Sequence, residues 1–148
     1  MQAFNIDTNV SQSVDRSFDM MLVGLRPQDA DMVARSVDDF FYDGDFRSDL
    51  FDGPTPPVTY GFDADESGSV RVIDANDETW SKWRDAGVME LMVLVSRLSA
   101  SPGGDGPDDP RRRVFSIDRC HWQKQGNLIT IDVQRTRMSY SPQPDLSD

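Results

Sequence analysis

A single cysteine, Cys120, stands among 148 residues, so no disulfide can form within the chain. That fits a reducing compartment, or a particle assembled inside a cell. Histidine is as scarce, with His121 alone. Together these exclude the multi-ligand Cys/His spacing of a zinc site. No Gly-rich phosphate loop runs into Lys-Ser/Thr, and there is no nucleophile elbow. No apolar run approaches the roughly 20 residues of a membrane span. A secretory leader is not visible either: the first base is Arg16, and the nearby apolar run Met20 to Val23 is too short for a leader core. These absences predict a cytoplasmic protein, or one assembled into a particle formed in the cytoplasm, without membrane contact.

What the chain has in excess is aspartate. Of 26 acidic residues, 23 are Asp and only Glu66, Glu78 and Glu90 are Glu; of 15 basic residues, 13 are Arg. Asp is a poor helix former and a good cap and turn residue, so many of these should sit in caps, turns and exposed faces. The formal net charge of −11 is uneven: 22 acids against 8 bases in residues 1–110, then 4 acids against 7 bases in 111–148. An acidic body disfavours non-specific binding to nucleic acid or anionic membrane and favours solubility or a basic partner. With 37% hydrophobic residues, three Trp and eight Phe, the chain can build a core. The length suits one domain, 1–139, followed by a polar tail, 140–148.

Periodicity supplies the expected elements. Residues 1–10 read as a candidate arm, with Phe4 and Ile6 an isolated apolar pair. Val14, Phe18, Met21 and Leu25 fall on one helical face, with Ser11 or Ser13 as cap. Pro27 suits the first turn of a second helix with the stripe Val33, Val37, Phe40 and Phe41, stopped at Asp43-Gly44. The stretch "YDGDFRSDLFDGPTPP" reads as a covered loop whose aromatic residues plug the core. Asn76 or Asp77 caps a third helix, in which Trp80, Trp83, Gly87, Leu91, Leu94 and Leu98 follow a 3-4 spacing. Gly87 inside it implies close packing of a neighbour. Residues 100–110 read as a flexible loop. Residues 112–124 and 128–139 read as a hairpin turning at Gly126-Asn127, with Ile129, Ile131 and Val133 buried. Its register places Trp122 opposite Ile131, Cys120 opposite Val133, His121 opposite Asp132 and Asp118 opposite Arg135.

The segment "DADESGSVRVID", 63–74, imitates a calcium loop. Asp63, Asp65 and Ser67 take the first ligand positions and Gly68 the sharp turn. The prolines and Gly61 before it forbid an entering helix, Arg71 occupies a ligand position, and Asp74 is one methylene short of the usual Glu. A hairpin suits it better: Glu66-Ser67-Gly68 turns with Gly68 left-handed, Phe62 faces Val72, Ala64 faces Val70, and Asp63 pairs with Arg71.

The predicted fold is therefore an α+β domain. Two N-terminal helices, a β-hairpin, a central buried helix and a long C-terminal β-hairpin make an antiparallel sheet packed by helices. This element order resembles the cone-shaped folds of the nuclear-transport-factor-like superfamily, small phage tail and connector subunits, and acidic secretion chaperones. No motif assigns the chain to any of them.

No catalytic, cofactor or metal constellation stands out. An all-carboxylate site from Asp38, Asp39, Asp43 and Asp45 is chemically conceivable, but such clusters are common in Asp-rich chains. The expected function is a non-enzymatic, protein-binding subunit of a larger assembly, with a viral or phage structural component as the leading example. Its partners are other protein subunits, a second copy of the chain included. The acidic contact residues are Asp38, Asp39, Asp43, Asp45, Asp49 and Asp52; the basic ones are Arg111, Arg112, Arg113, Arg135 and Arg137. Two alternatives compete. One is an acidic inhibitor whose Asp side chains mimic DNA phosphates. The other is a small enzyme or ligand-binding domain with Trp80, Trp83 and Trp122 around a pocket, and His121 and Asp132 as acid and base.

Overall fold

A computed structural model describes residues 3–10, 17–63, 68–98, 106–117 and 127–141. Two four-stranded sheets stack face to face. The strands are β1 (Asn5–Val10), β2 (Phe18–Leu25), β3 (Val58–Phe62), β4 (Gly68–Ile73), β5 (Glu90–Val95), β6 (Arg112–Ser116), β7 (Leu128–Val133) and β8 (Met138–Ser141). One sheet runs in the order β4-β1-β7-β8, the other β3-β2-β5-β6. All pairings are antiparallel except β1 with β7. Helical segments are short: a 3-10 stretch Pro27–Ala34, α1 (Val37–Tyr42), α2 (Gly44–Phe51), α3 (Thr79–Ala86) and a 3-10 turn Gly106–Asp108. The expected α+β architecture with one helix-covered sheet is thus overturned: the protein is a β-sandwich, and its helices are minor.

The physical cause lies in β2 and β5. Phe18, Met20 and Leu22, with Leu91, Val93 and Val95, face the other sheet. Met21, Val23 and Leu25, with Met92 and Leu94, face the helical excursion 27–51. A strand buried on both faces loses its alternation and reads as a continuous apolar run. "FDMMLVGL" and "ELMVLV" therefore imitate buried helices. Only Thr79–Ala86 of the expected central helix is helical. Glu78 takes the N-cap position without a side-chain capping bond, and the expected cap Asp77 stands one residue before it, its carboxylate accepting from the Thr79 N–H at 2.9 Å. Gly87 ends it in the left-handed conformation, φ 89°. Nothing would crowd a side chain there, so its role is the turn and not the close approach. The close approach falls instead at Gly24, where an added Cβ would lie 2.9 Å from the Trp83 ring.

Both expected hairpins also give way. Strands β3 and β4 lie in different sheets, so Phe62 pairs with Phe18, and Arg71 lies across from Asp7 and ion-pairs with it. Gly68 does take the left-handed conformation, φ 91°, at the entry to β4. β6 pairs with β5, while β7 is flanked on both sides by β1 and β8, leaving no edge for β6. The expected buried face Ile129, Ile131 and Val133 holds, all three fully buried. Its partners are different: Ile131 meets Tyr140 and Asp132 meets Ser139. Asp118, Cys120, His121 and Trp122 lie outside the described residues. The segment read as an arm supplies β1, with Phe4 and Ile6 fully buried in the interlayer core.

The excursion between β2 and β3 follows from local signals. Pro27 opens it as expected, and the Arg26 backbone N–H and guanidinium both donate to Asp29. The expected second helix splits at Arg35-Ser36 into the 3-10 stretch and α1, yet its stripe is buried at Val37 and Phe40. The expected loop contains α2, because Asp43 caps it by accepting from the Phe46 N–H at 3.1 Å. Phe46 meets Phe40 edge-on at 4.9 Å. The excursion thereby roofs the outer face of the β3-β2-β5-β6 sheet.

Candidate functional site

The expected acidic and basic surfaces meet inside one molecule. Arg111 donates to Asp38 at 2.7 Å, to Asp109 at 2.8 Å and to the Ser96 carbonyl at 3.1 Å. This ties the start of α1 to the segment before β6 and the end of β5. Arg112 is 1% exposed and reaches back under the roof, where its guanidinium donates to the Arg35 carbonyl and lies over the Phe40 ring. Neither residue forms an open basic face. Arg135 and Arg137 are exposed at the β7–β8 turn, Arg137 donating to Gln134 at 3.2 Å.

Of the acidic set, Asp39 and Asp43 both ion-pair with Arg35, at 3.2 and 3.7 Å. Asp45, Asp49 and Asp52 are exposed on α2 and just past it. Asp38, Asp39 and Asp43 thus face the chain's own arginines, and only the other three form an open ridge. Among the described residues, no three His, Cys, Asp or Glu side chains group to hold a metal ion.

The two described tryptophans of the expected aromatic pocket belong to the core. Trp80 and Trp83 are 3% and 0% exposed, packed edge-on at 5.5 Å between centroids. Their indole N–H groups donate to the carbonyls of Asp74 and Pro56. Asp132 accepts from the Asn9 amide at 3.2 Å, and His121 and Trp122 of the expected pocket lie outside the described residues.

Two buried carboxylates are held ionised. Burial pushes the Asp109 carboxyl up, but hydrogen bonds from the Arg111 side chain and backbone, with the nearby Arg111 and Arg112 charges, hold it below its ordinary range. The Arg26 side-chain hydrogen bonds lower Asp29 against the opposing effect of burial. At Asp77 the bond from the Thr79 N–H lowers the carboxyl. A depressed folded pKa contributes stability above the unfolded value, 3.8, that is lost as the pH falls through the folded value. The melting temperature should therefore stay level from pH 7 to about 5 and drop below about 4. Scanning calorimetry across this range checks it, and a decline already between pH 7 and 5 would contradict it.

The sequence did not point to the open space beside β3. Where the roof stops at Phe41 and Tyr42, the outer face of the sheet continues as Asp19, Gly61 and Ser96. A cleft of about 420 Å³ opens there, with Tyr42, Asp63 and Arg97 on its walls. A second hollow of about 210 Å³ shares Asp19 and Gly61 and runs toward Phe41 and Arg47. Tyr42 is 70% exposed, against a core in which nearly every other large apolar side chain is covered. This arrangement suits binding to a surface, since its side chains are a carboxylate, a phenol and a guanidinium set apart from any nucleophile–base pair among the described residues.

Such a chain is a β-sandwich of two four-stranded sheets with a short helical roof on one of them. Two solved structures share that fold over nearly their whole length. The type VI secretion lipoprotein TssJ1 from Pseudomonas aeruginosa superposes with a TM-score of 0.55 at 11% identity, covering 97% of this chain and 98% of its own. Lip from Serratia marcescens, a membrane-bound component of the type VI secretion system, gives a TM-score of 0.58 at 9% identity, covering 97% and 100%. At these identities the likeness is one of fold. No protein-family model matches the sequence, and no curated protein matches it. The viral and cytoplasmic expectations are corrected by these neighbours, which are bacterial secretion components, one a lipoprotein and the other membrane-bound. The expectation of no membrane contact is weakened by the same finding. The resemblance to nuclear-transport-factor-like cones falls with the single helix-covered sheet that it required.

Proposed function

We propose that the protein is a non-enzymatic, protein-binding subunit of a bacterial cell-envelope assembly, of the kind to which TssJ1 and Lip belong. The single observation that carries this reading is the whole-length correspondence of fold with two components of one secretion machine. The surface supports it: an exposed tyrosine and an open acidic ridge stand on a roof tied to the sandwich through Arg111, which bridges the exposed Asp38 of the roof and the buried Asp109. A rigid scaffold carrying such a patch is suited to docking.

The test is fractionation of the native cells carrying a tagged copy of the gene, with cross-linking and mass spectrometry. The protein is expected in the envelope fraction with a reproducible set of protein partners. A lone monomer recovered wholly from the cytosol would overturn the proposal.

A further inference from the structure

We infer that the open edge of β3 and the cleft beside it dock an extended basic segment of a protein partner, which adds a strand to β3 and lays a cationic side chain between Asp19 and Tyr42. This deepens the reading of the chain as an assembly subunit and rests on it. Four described strands lie at sheet edges: β3, β4, β6 and β8. Natural edges are blunted by charge, shortness or cover, because unpaired N–H and C=O groups invite another strand. β4 carries Arg71, β6 opens with Arg112 and Arg113, and β8 has only four residues. β3, "VTYGF", has five residues and no charge. Tyr60 and Phe62 pack inward, whereas Thr59 and Gly61 are exposed on the outer face. Strand addition to such an edge gives affinity through the main chain and specificity through side-chain pockets.

The adjoining cleft defines the side chain. Asp19 makes no ion pair and its carboxylate accepts no hydrogen bond among the described residues, unlike Asp29, Asp38, Asp39, Asp43 and Asp109. Its backbone is fixed, since Asp19 N–H donates to Ser96 Oγ and Ser96 N–H donates to the Asp19 carbonyl, both at 2.8 Å. Directly opposite in the ladder is Gly61, where a Cβ would stand 3.3 Å from the Asp19 carboxylate. The missing side chain keeps that carboxylate accessible. Tyr42 supplies an exposed ring on the wall, suited to the face of a guanidinium or ammonium. Arg97 lines the cleft too, its Nε donating to the Ser17 carbonyl, and leaves Asp19 as the place for the incoming cation. The overall charge of −11 steers a basic segment toward the molecule.

The probe is an amidated eight-residue peptide alternating valine with threonine and arginine, titrated into the full chain by calorimetry and amide NMR. Binding should shift the resonances of β3, Asp19 and Ser96. Asp19→Asn and Tyr42→Ala should each weaken it about tenfold, with unchanged melting temperatures, because both side chains are outside the core. Asp85→Asn, at an exposed position on α3 away from the cleft and the acidic ridge, should leave it unchanged. The peptide with Glu for Arg, and one with methylated backbone nitrogens, should not bind. No binding at millimolar peptide would overturn the inference. So would equal weakening by Asp85→Asn, which reports bulk charge, or equal binding by the methylated peptide. In native cells, a partner captured equally by wild type and the Asp19→Asn/Tyr42→Ala double variant sinks the docking site and leaves the assembly reading standing. Peptide binding as described with no native partner captured does the reverse.

Discussion

Arg111→Met should destabilise the protein by about 3–5 kcal/mol at pH 7, the range for stranding one member of a buried charge pair. The partner left behind decides the size. Asp109 is 1% exposed, and without Arg111 its carboxylate loses its principal donor while staying buried. The reciprocal change, Asp109→Ala, should cost less, because Arg111 is 15% exposed and keeps Asp38 and the Ser96 carbonyl. The pH dependence should also reverse. In the natural chain the lowered Asp109 pKa contributes stability that disappears on acidification below 3.8. In Arg111→Met, burial and the backbone N–H bond of residue 111 remain but the side-chain bonds and charge of Arg111 are gone, so the folded pKa moves upward. The variant then recovers part of its loss as the pH falls through that raised value. Urea denaturation of the three proteins at several pH values measures both effects. Equal losses for Arg111→Met and Asp109→Ala, independent of pH, would show that the pair is too well solvated for this account.

The Gly24–Trp83 contact should yield the other large effect. Trp83 is fully buried at the end of the sandwich, and Trp83→Ala should cost about 3–5 kcal/mol through lost burial and the cavity left behind. Gly24→Val should cost about 1–3 kcal/mol or more, because its side chain would be driven into the indole face. The sign of the coupling is the sharper test. Combining Gly24→Ala with Trp83→Leu should cost less than the sum of the two single changes, since the smaller residue opposite makes room for the new methyl. Strict additivity in the thermal unfolding of the four proteins would mean that the two residues do not share a packing site.

Local chemistry was legible wherever a residue's immediate neighbours determine the outcome. The stop of α1 at Asp43, the Asp77 carboxylate bonded at the start of α3, the left-handed Gly68, the prolines that keep 54–57 out of a helix, and the buried triplet Ile129, Ile131 and Val133 all follow from backbone sterics, short-range hydrogen bonds or simple alternation. The two central strands were not legible, because burial on both faces erases the period that distinguishes strand from helix. The docking cleft was hidden for a different reason. Asp19, Tyr42, Gly61 and Ser96 are far apart in the chain and each is unremarkable alone, so only the tertiary arrangement makes them neighbours.

By itself the sequence determined an acidic chain with enough apolar surface for one core, no sequence pattern for a metal or nucleophile site, and some of its local signals, such as the left-handed Gly68 and the stop at Asp43. Which strands pair was decided only by the tertiary structure. Adjacent segments such as 58–62 and 68–73 go to different sheets, and β1 joins β7 from the other end of the chain. The physical reason is that strand pairing is non-local: the same alternating segment can satisfy its hydrogen bonds with many partners. The choice falls to whichever arrangement buries Trp83, Phe4 and the two-faced strands together. The same choice turns the expected acidic and basic surfaces inward upon each other at Arg111, and leaves the β3 edge and the Asp19 cleft facing outward.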